Sequence, residues 1–527
     1  MTKRNIFLTT IIVALSALMF SCTDNFEDYN INKIGVTDED LTLDYNDIGA
    51  YFPQIQQMIY VNYNWGDGKD WTYQLTQNLN ADIFSGYMMS ATDFAGNENN
   101  TTYALVDGWN GASWEYTYAH MMPPLFEVEK KVAAEPDYAH FGGVAKILKV
   151  FGMSRIANQY GPIIYTKYGQ DATGSAYDKP EDTYNQFFKD LEDAASTLKA
   201  YVSANPGATP FAKFDMMFGG DYDKWIKLAN SLRLRLAIQV SGVKPELAKQ
   251  QAEAAVQGGV FTNEVATVSG RGYTHPLDAL TNSWGDISMG ASIESIMQGY
   301  EDPRLAKYFV PAADANAAAA GFEFKGIRQG IALSDATTYR SHSKILVESS
   351  TPAILLTAAE VYFLRAEGAL NGWNMGGTAK DLYESGIAAS MDQWGASIGD
   401  YLTSDKLPSD YVDLYNPSAN NIAAQNTVSP AWDESADREV KQQKISTQKW
   451  IAMFPEGIEG WTEVRRTGYP KLFPVVINLS GGKIDTNKGV RRLPLPASER
   501  DKEGYSTAVS YLNGPDTGGT NLWWDVK

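Results

Sequence analysis

Trp65 and Trp71 flank the run GDGKD in the stretch NYNWGDGKDW, where glycine, aspartate and asparagine replace the apolar neighbours of a core tryptophan. An indole in such company can lay its face on the apolar face of a sugar ring, while nearby Asn and Asp bond the hydroxyls at the ring's edge. At ~25 cal/mol per Å², one covered face of about 70 Å² contributes roughly 1.5–2 kcal/mol, so useful affinity takes several rings. The chain offers more of them. SGYMMSATDFAGNENN carries Tyr87, Asp93, Asn97 and Asn99, DGWNGASW carries Trp109, and GYTHPLDALTNSWGD carries Tyr273 and Trp284. Each ring also has a packing alternative, in which it pins its loop to a neighbouring element. Trp225, Trp450 and Trp461 stand in periodic helical segments and read as core.

Catalytic chemistry finds little support. The sequence has no GxSxG elbow, no phosphate-binding GxxxxGK[ST] loop and no GxGxxG after a strand. Its 63 Asp and Glu single out no carboxylate pair for glycoside hydrolysis, and His120, His140, His275 and His342 are scattered without a metal-binding spacing. A formal charge of −19 argues against a nucleic-acid surface, which needs Lys and Arg to neutralise phosphates. The chain therefore reads as a binder and not an enzyme, with no cofactor, no metal and no nucleic-acid partner expected.

Cys22 is the single cysteine among 527 residues, which excludes internal disulfides and cysteine-based zinc sites. Lys3 and Arg4 precede an uncharged stretch, Asn5 to Ser21, whose apolar part from Ile6 to Phe20 has the length of a signal-peptide core and is short for a membrane span. The small Ser21 stands at the cleavage point. This resembles a bacterial lipoprotein signal over residues 1–21, with Met19 where Leu is usual, and implies acylation of Cys22. The competing reading is an ordinary secretory signal with an incidental Cys. Residues 22–45 are acidic and polar and read as a flexible tether, similar to the surface-export signal of Bacteroidetes lipoproteins. Several acyl chains anchor firmly where one alone is marginal.

The elements that must hold the loops are mainly helical, from residue 46 to 527 in a single domain. NDIGAYFPQIQQMIY opens the series; residues 138–161 and 180–202 form a second pair, 221–242 and 244–259 a third, and 352–372 with 377–395 a fourth. Ala359, Ala366 and Ala369 on one helix and Ala379, Leu382, Gly386 and Ala389 on the next predict close antiparallel packing. Trp225, Leu228, Ala229 and Leu232 match half of a tetratricopeptide consensus, but the insertions are too long for a regular solenoid. Residues 260–350 and 400–435 read as loops or short strands, and the C-terminal part as irregular, though NLWWDVK is too aromatic for a disordered tail. Arg465 and Arg466 read as ion-pair partners of acidic helices.

GGDYDKWIKLANSLRLRLA at Gly219 to Ala237, GYEDPRL at Gly299 to Leu305, AAEVYFLRAEGAL at Ala358 to Leu370 and KISTQKWIAMFPEGIEGWTEVRRTGYPKL at Lys444 to Leu472 together resemble the SusD/RagB family of surface nutrient-binding lipoproteins. The order of motifs covers nearly the whole mature chain. FEDYNINKIGVTDEDL resembles the family's post-cysteine segment but lacks its usual Asn-Pro. The resemblance implies a mainly α, tetratricopeptide-like fold with ligand loops on one side. It also implies a TonB-dependent outer-membrane transporter (SusC-like) as partner, anchorage at the cell surface, and an oligosaccharide or a peptide as ligand. A helical-repeat adaptor for other proteins stays open as a third reading, separated from the others by whether the exposed aromatics sit on loops or on a concave helical face.

Overall fold

The computed structural model describes residues 43–60, 70–170, 175–270, 272–333 and 337–527. The chain divides between Ile48 and Gly49. Of the N-terminal part, residues 43–48 are described and form a short helical turn. Everything below concerns Gly49–Lys527, which forms one compact unit. Cys22, the signal segment and Trp65 lie outside the described residues.

Helices dominate. In chain order those used here are α1 (Phe52–Ile59), α2 (Asp70–Tyr73), α3 (Asp107–Asn110), α4 (Ala112–His120), α5 (Met122–Ala134), α6 (Ala139–Tyr160), α7 (Pro180–Ala204), α8 (Tyr222–Gln239), α9 (Pro245–Gly258), α10 (Ala291–Gly299), α11 (Ala358–Leu370), α12 (Ala379–Gln393), α13 (Arg438–Ala452) and α14 (Gly457–Thr467). Their starts follow from local chemistry. Proline opens α1, α7 and α9, where a missing N–H costs nothing. Asp221, Thr357, Thr378 and Asp437 cap α8, α11, α12 and α13 by accepting from free backbone N–H groups of the first turn. Among the described residues no helix is long and apolar enough to cross a membrane.

Successive helices from α6 to α9 pack each on the next, and α8 joins this row to the hairpin α11–α12, which rests on α13. Trp225, Leu228, Ala229 and Leu232 are all fully buried on α8, as their spacing predicts. Within α11–α12 the closest approach is at Gly386, where a Cβ would stand 2.8 Å from the Phe363 ring, so only glycine fits. Ala359 and Ala366 are buried as expected, whereas Ala369, Ala379 and Ala389 are only half-buried; the buried face of α12 turns instead on Leu382, Tyr383, Gly386 and Ile387.

Two short antiparallel ribbons complete the frame. β1 (Met88–Ser90) pairs with β3 (Ile287–Met289), and β2 (Val265–Val268) pairs with β4 (Ala353–Thr357) through a bulge at Ala266/Thr267. The sequence reading of 352–372 as one helix is therefore corrected at its start. Ala-Ile-Leu-Leu-Thr is a short apolar run that suits a buried strand as well as a helix, and the distant β2 decides between them. α10 likewise rises inside a region read as loops and short strands. The C-terminal segment is anchored as expected: Trp524 is buried and Asp525 pairs with Arg491.

Buried charges tie the helices together. Arg235 on α8 makes a two-pronged pair with Glu360 on α11 at 2.7 Å for both bonds. Arg466 on α14 bridges Glu367 and Glu463, and Lys449 reaches Glu463 at 2.7 Å. Arg466 thus does what its acidic surroundings suggested. Arg465 does not: its guanidinium donates to the carbonyls of Asn158 and Arg491 and lies 3.6 Å from the centre of the Trp461 ring. No carboxylate stands within ion-pair distance of it among the described residues.

Candidate functional site

The element that organises the loops is a π-helical segment, Gln74–Asp82, which continues directly from α2. Such wide turns are uncommon and are found mainly at functional sites. Its sequence, QLTQNLNAD, is polar, yet Gln77, Asn78, Asn80 and Asp82 are all buried. Their groups satisfy one another. Asp82 accepts from Tyr73 (3.2 Å), Gln77 (3.0 Å) and Asn78 (3.0 Å). Burial still pushes the Asp82 pKa up to about 6, the bonds from Asn78 and Gln77 opposing it. At Gly457, the first residue of α14, a Cβ would stand 2.1 Å from Asp82 Oδ1, so glycine is required there too. Arg155 of α6 joins Gln77 (2.8 Å) to Glu456, which caps α14. The base of the site is thereby fixed to the core.

From that base the loops converge. The β1–β3 ribbon carries its ladder on through Ala91 N–H, which donates to Asp286 O at 2.8 Å, so Thr92 and Asp286 lie side by side. The Asp286 carboxylate accepts from Thr92 Oγ1 at 2.7 Å and from Gln74 Nε2 at 3.0 Å. Arg340 stands 3.9 Å from the same carboxylate and donates to Thr92 Oγ1 at 3.3 Å. Asn97 Nδ2 donates to Leu333 O at 3.0 Å and ties the turn after Thr92 to the Arg340 segment. In that turn Ala95 and Asn97 hold φ of 51° and 69°, a left-handed backbone rarely adopted by alanine.

Two exposed tryptophans lie near members of this cluster in sequence, Trp71 three residues before Gln74 and Trp284 two before Asp286. Trp71 on α2 is 42% exposed and Trp284 is 39% exposed; α2 packs on the turn Ala279–Ser283 that ends at Trp284. Tyr116 braces Trp71 edge-on at 6.4 Å. Trp109 is half-buried on α3, which also packs on the π-helical segment, and Phe94 meets it edge-on at 5.8 Å. The arrangement, called the rim below, sets exposed aromatic side chains on the same stretches as a fixed set of donors and acceptors. It can stack a ring and bond its hydroxyls.

Of the residues singled out in the sequence, Trp71, Trp284 and Asn97 are brought to this rim, with Trp109 and the half-buried Asp93 beside Phe94. Three readings are corrected. Tyr87 is fully buried, its ring 4.8 Å from Trp450 and its hydroxyl bonded to Trp450 O, just ahead of β1, whose three residues are buried as well. Asn99 is buried and caps the turn Asn100–Thr102. Tyr273 is buried edge-on to His275 and offers no open face. His275 accepts from Leu277 N–H through Nδ1, and burial lowers its pKa to about 3, so it is a neutral packing group facing Tyr60.

Sequence reasoning missed Gln74, Thr92, Asp286 and Arg340. The signal available was weak: Asp286 closes the SWGD run and Thr92 precedes Asp93, but Arg340 comes from a stretch with no aromatic or glycine pattern. Among the described residues no group of three or more His, Cys, Asp or Glu is placed to hold a metal ion.

A family model described as SusD-like, the SusD and RagB outer membrane lipoproteins, matches residues 28–525. The comparison with curated proteins finds no match. Among solved structures, a chitin-binding SusD homologue from Flavobacterium johnsoniae is 46% identical with a TM-score of 0.86, covering 92% of this chain and 99% of its own. A SusD homologue from Bacteroides vulgatus is 41% identical with a TM-score of 0.87 and the same coverage. One from Bacteroides thetaiotaomicron is 32% identical with a TM-score of 0.82, covering 91% and 99%.

Proposed function

The chain belongs to the SusD-like family of outer-membrane lipoproteins, and on that premise we propose that it captures an oligosaccharide on the Trp71–Trp284 rim and passes it to a TonB-dependent outer-membrane transporter. The observation that supports this reading is that Gln74 and Asp286 join the two short stretches that carry the exposed indoles Trp71 and Trp284, within the Gln74–Thr92–Asp286–Arg340 cluster. Sugars present an apolar face and an equatorial fringe of hydroxyls, and the rim offers a counterpart to both. The chitin-binding relative makes oligomers of N-acetylglucosamine the first ligand to test. The protein acts as a binder, without a catalytic step.

Calorimetric titration of the full chain against chitooligosaccharides, a panel of other glycans and a pool of peptides tests this directly. Saturable binding to a glycan is expected, and binding to peptides alone would overturn the sugar reading. Affinity for neither, with stable capture of a folded protein on a helical face, would favour an adaptor instead.

Display rests on Cys22. Its acylation anchors the domain, with residues 22–45 as the tether and 46–527 as the binding domain. Cys22→Ala is expected to move the protein out of the membrane fraction, and mild solubilisation of the native form to recover a barrel transporter with it. Retention of the variant in the membrane argues against the lipid anchor; repeated recovery without a barrel argues against the partnership.

A further inference from the structure

A second cleft, of about 360 Å³, opens between α14, the segment Gly468–Pro474 and the loop 486–491, and the rim described above contributes no residue to it. Its lining holds Arg465, Lys471, Lys488, Arg491 and Lys527 and no Asp or Glu. In a chain with 63 acidic and 44 basic residues, such a gathering of one sign against the overall charge is unexpected. Part of it is compensated from outside: Arg491 pairs with Asp525 and Lys527 lies 4.0 Å from Glu439. Asp485 stands near the edge, where it accepts from the Asn487 and Lys488 backbone. Lys488 Nζ donates to Lys527 O at 3.5 Å, whereas Lys471 has no carboxylate within ion-pair distance among the described residues, and neither has the buried Arg465. Burial pushes the Arg465 pKa down to about 9 although Asp525 opposes it, the mark of a buried cation short of negative charge.

The cleft also contains a donor without an acceptor. Gln329 Nε2 is buried with no partner. A buried donor left unpaired is costly, so such groups in a native cavity point to an acceptor that arrives from outside. Trp461 and Phe84, both buried, close the inner end, 5.3 Å between ring centres. Cations of one sign and a spare donor in one cavity of this size fit a compact anion.

We infer that this cleft is a second binding site that takes a phosphate or sulfate group, either as the free ion or carried on a sugar. The anion bonds Lys471 and Lys488 at the mouth and accepts from Gln329 within, and any sugar attached to it extends outward from the mouth.

The test uses the full chain at constant ionic strength near neutral pH, with inorganic phosphate, inorganic sulfate, glucose 6-phosphate, glucose and chloride as probes. Phosphate or sulfate is expected to raise the melting temperature where chloride does not. Lys471→Ala/Lys488→Ala is expected to weaken anion binding by about tenfold or more. Both lysines are exposed, so the variant should melt with the parent when no anion is present; Lys488→Gln alone, with a smaller loss, serves if it does not. Tighter binding of glucose 6-phosphate than of inorganic phosphate assigns the site to a sugar-borne anion, and equal binding assigns it to the free ion. An equal response to chloride, or full affinity in both variants, means an adventitious ion only and overturns the site.

Discussion

Arg235→Met is expected to destabilise the fold by about 3–5 kcal/mol, the range found when one partner of a buried ion pair is removed. Arg235 and Glu360 are 4% and 3% exposed, and Glu459, at 5%, approaches the same guanidinium at 3.5 Å. The substitution strands two carboxylates and also frees the Leu355 carbonyl, which Arg235 holds at 3.0 Å. The loss should depend on pH in a definite direction. Burial already raises the Glu459 pKa above its ordinary value, with Arg235 opposing the rise. Without Arg235, Glu459 should bind protons still more readily when folded than when unfolded, and stability then falls as pH rises. Chemical denaturation should therefore show a smaller penalty near pH 5 than near pH 8. A loss below about 1 kcal/mol, or one that does not change with pH, would mean that the pair does not organise the core as argued.

The second large effect concerns the rim. Trp71→Ala with Trp284→Ala should weaken glycan binding by roughly two orders of magnitude, each ring contributing ~1.5–2 kcal/mol through its covered face. Both side chains are already well exposed, so the melting temperature should fall by no more than about 2 °C. Trp109→Ala should differ: a half-buried ring against Phe94 is expected to lose stability as well as affinity. Titration and melting curves on the same samples separate the two. If the double variant loses stability in proportion to binding, the indoles are packing groups and the ligand sits elsewhere.

The helical frame was legible because its signals are local. Apolar spacing, capping residues and opening prolines lie within a few positions of one another, so 139–160, 180–204, 222–239 and 245–258 follow closely from the sequence. β4 was not legible, since Ala353–Thr357 becomes a strand only by meeting Val265–Val268. The rim divides the same way. Trp71 and Trp284 were visible from their glycine, asparagine and aspartate neighbours. The polar cluster near them was not, because Gln74, Thr92, Asp286 and Arg340 come from four separate stretches joined by the β1–β3 ribbon, three hydrogen bonds and the Arg340–Asp286 pair. Tyr87 shows the opposite error. Its neighbours look like loop, yet Tyr87 leads into a ribbon strand that is buried throughout and packs on Trp450 and Phe454, partners far away in the sequence.

The segment Gln74–Asp82 winds more residues into each turn than an ordinary helix, and its polar contacts lock the far end to Arg155 and Glu456 while Trp71 rides on the near end. Each residue of a helix rotates what precedes it by about 100°. Deleting or adding one residue there would swing Trp71 around the axis and carry Gln74 away from Asp286, with the anchored end left in place. Length within this short stretch is thus a dial for the direction in which the rim points, and relatives could acquire a different ligand by a single indel without exchanging any side chain of the rim.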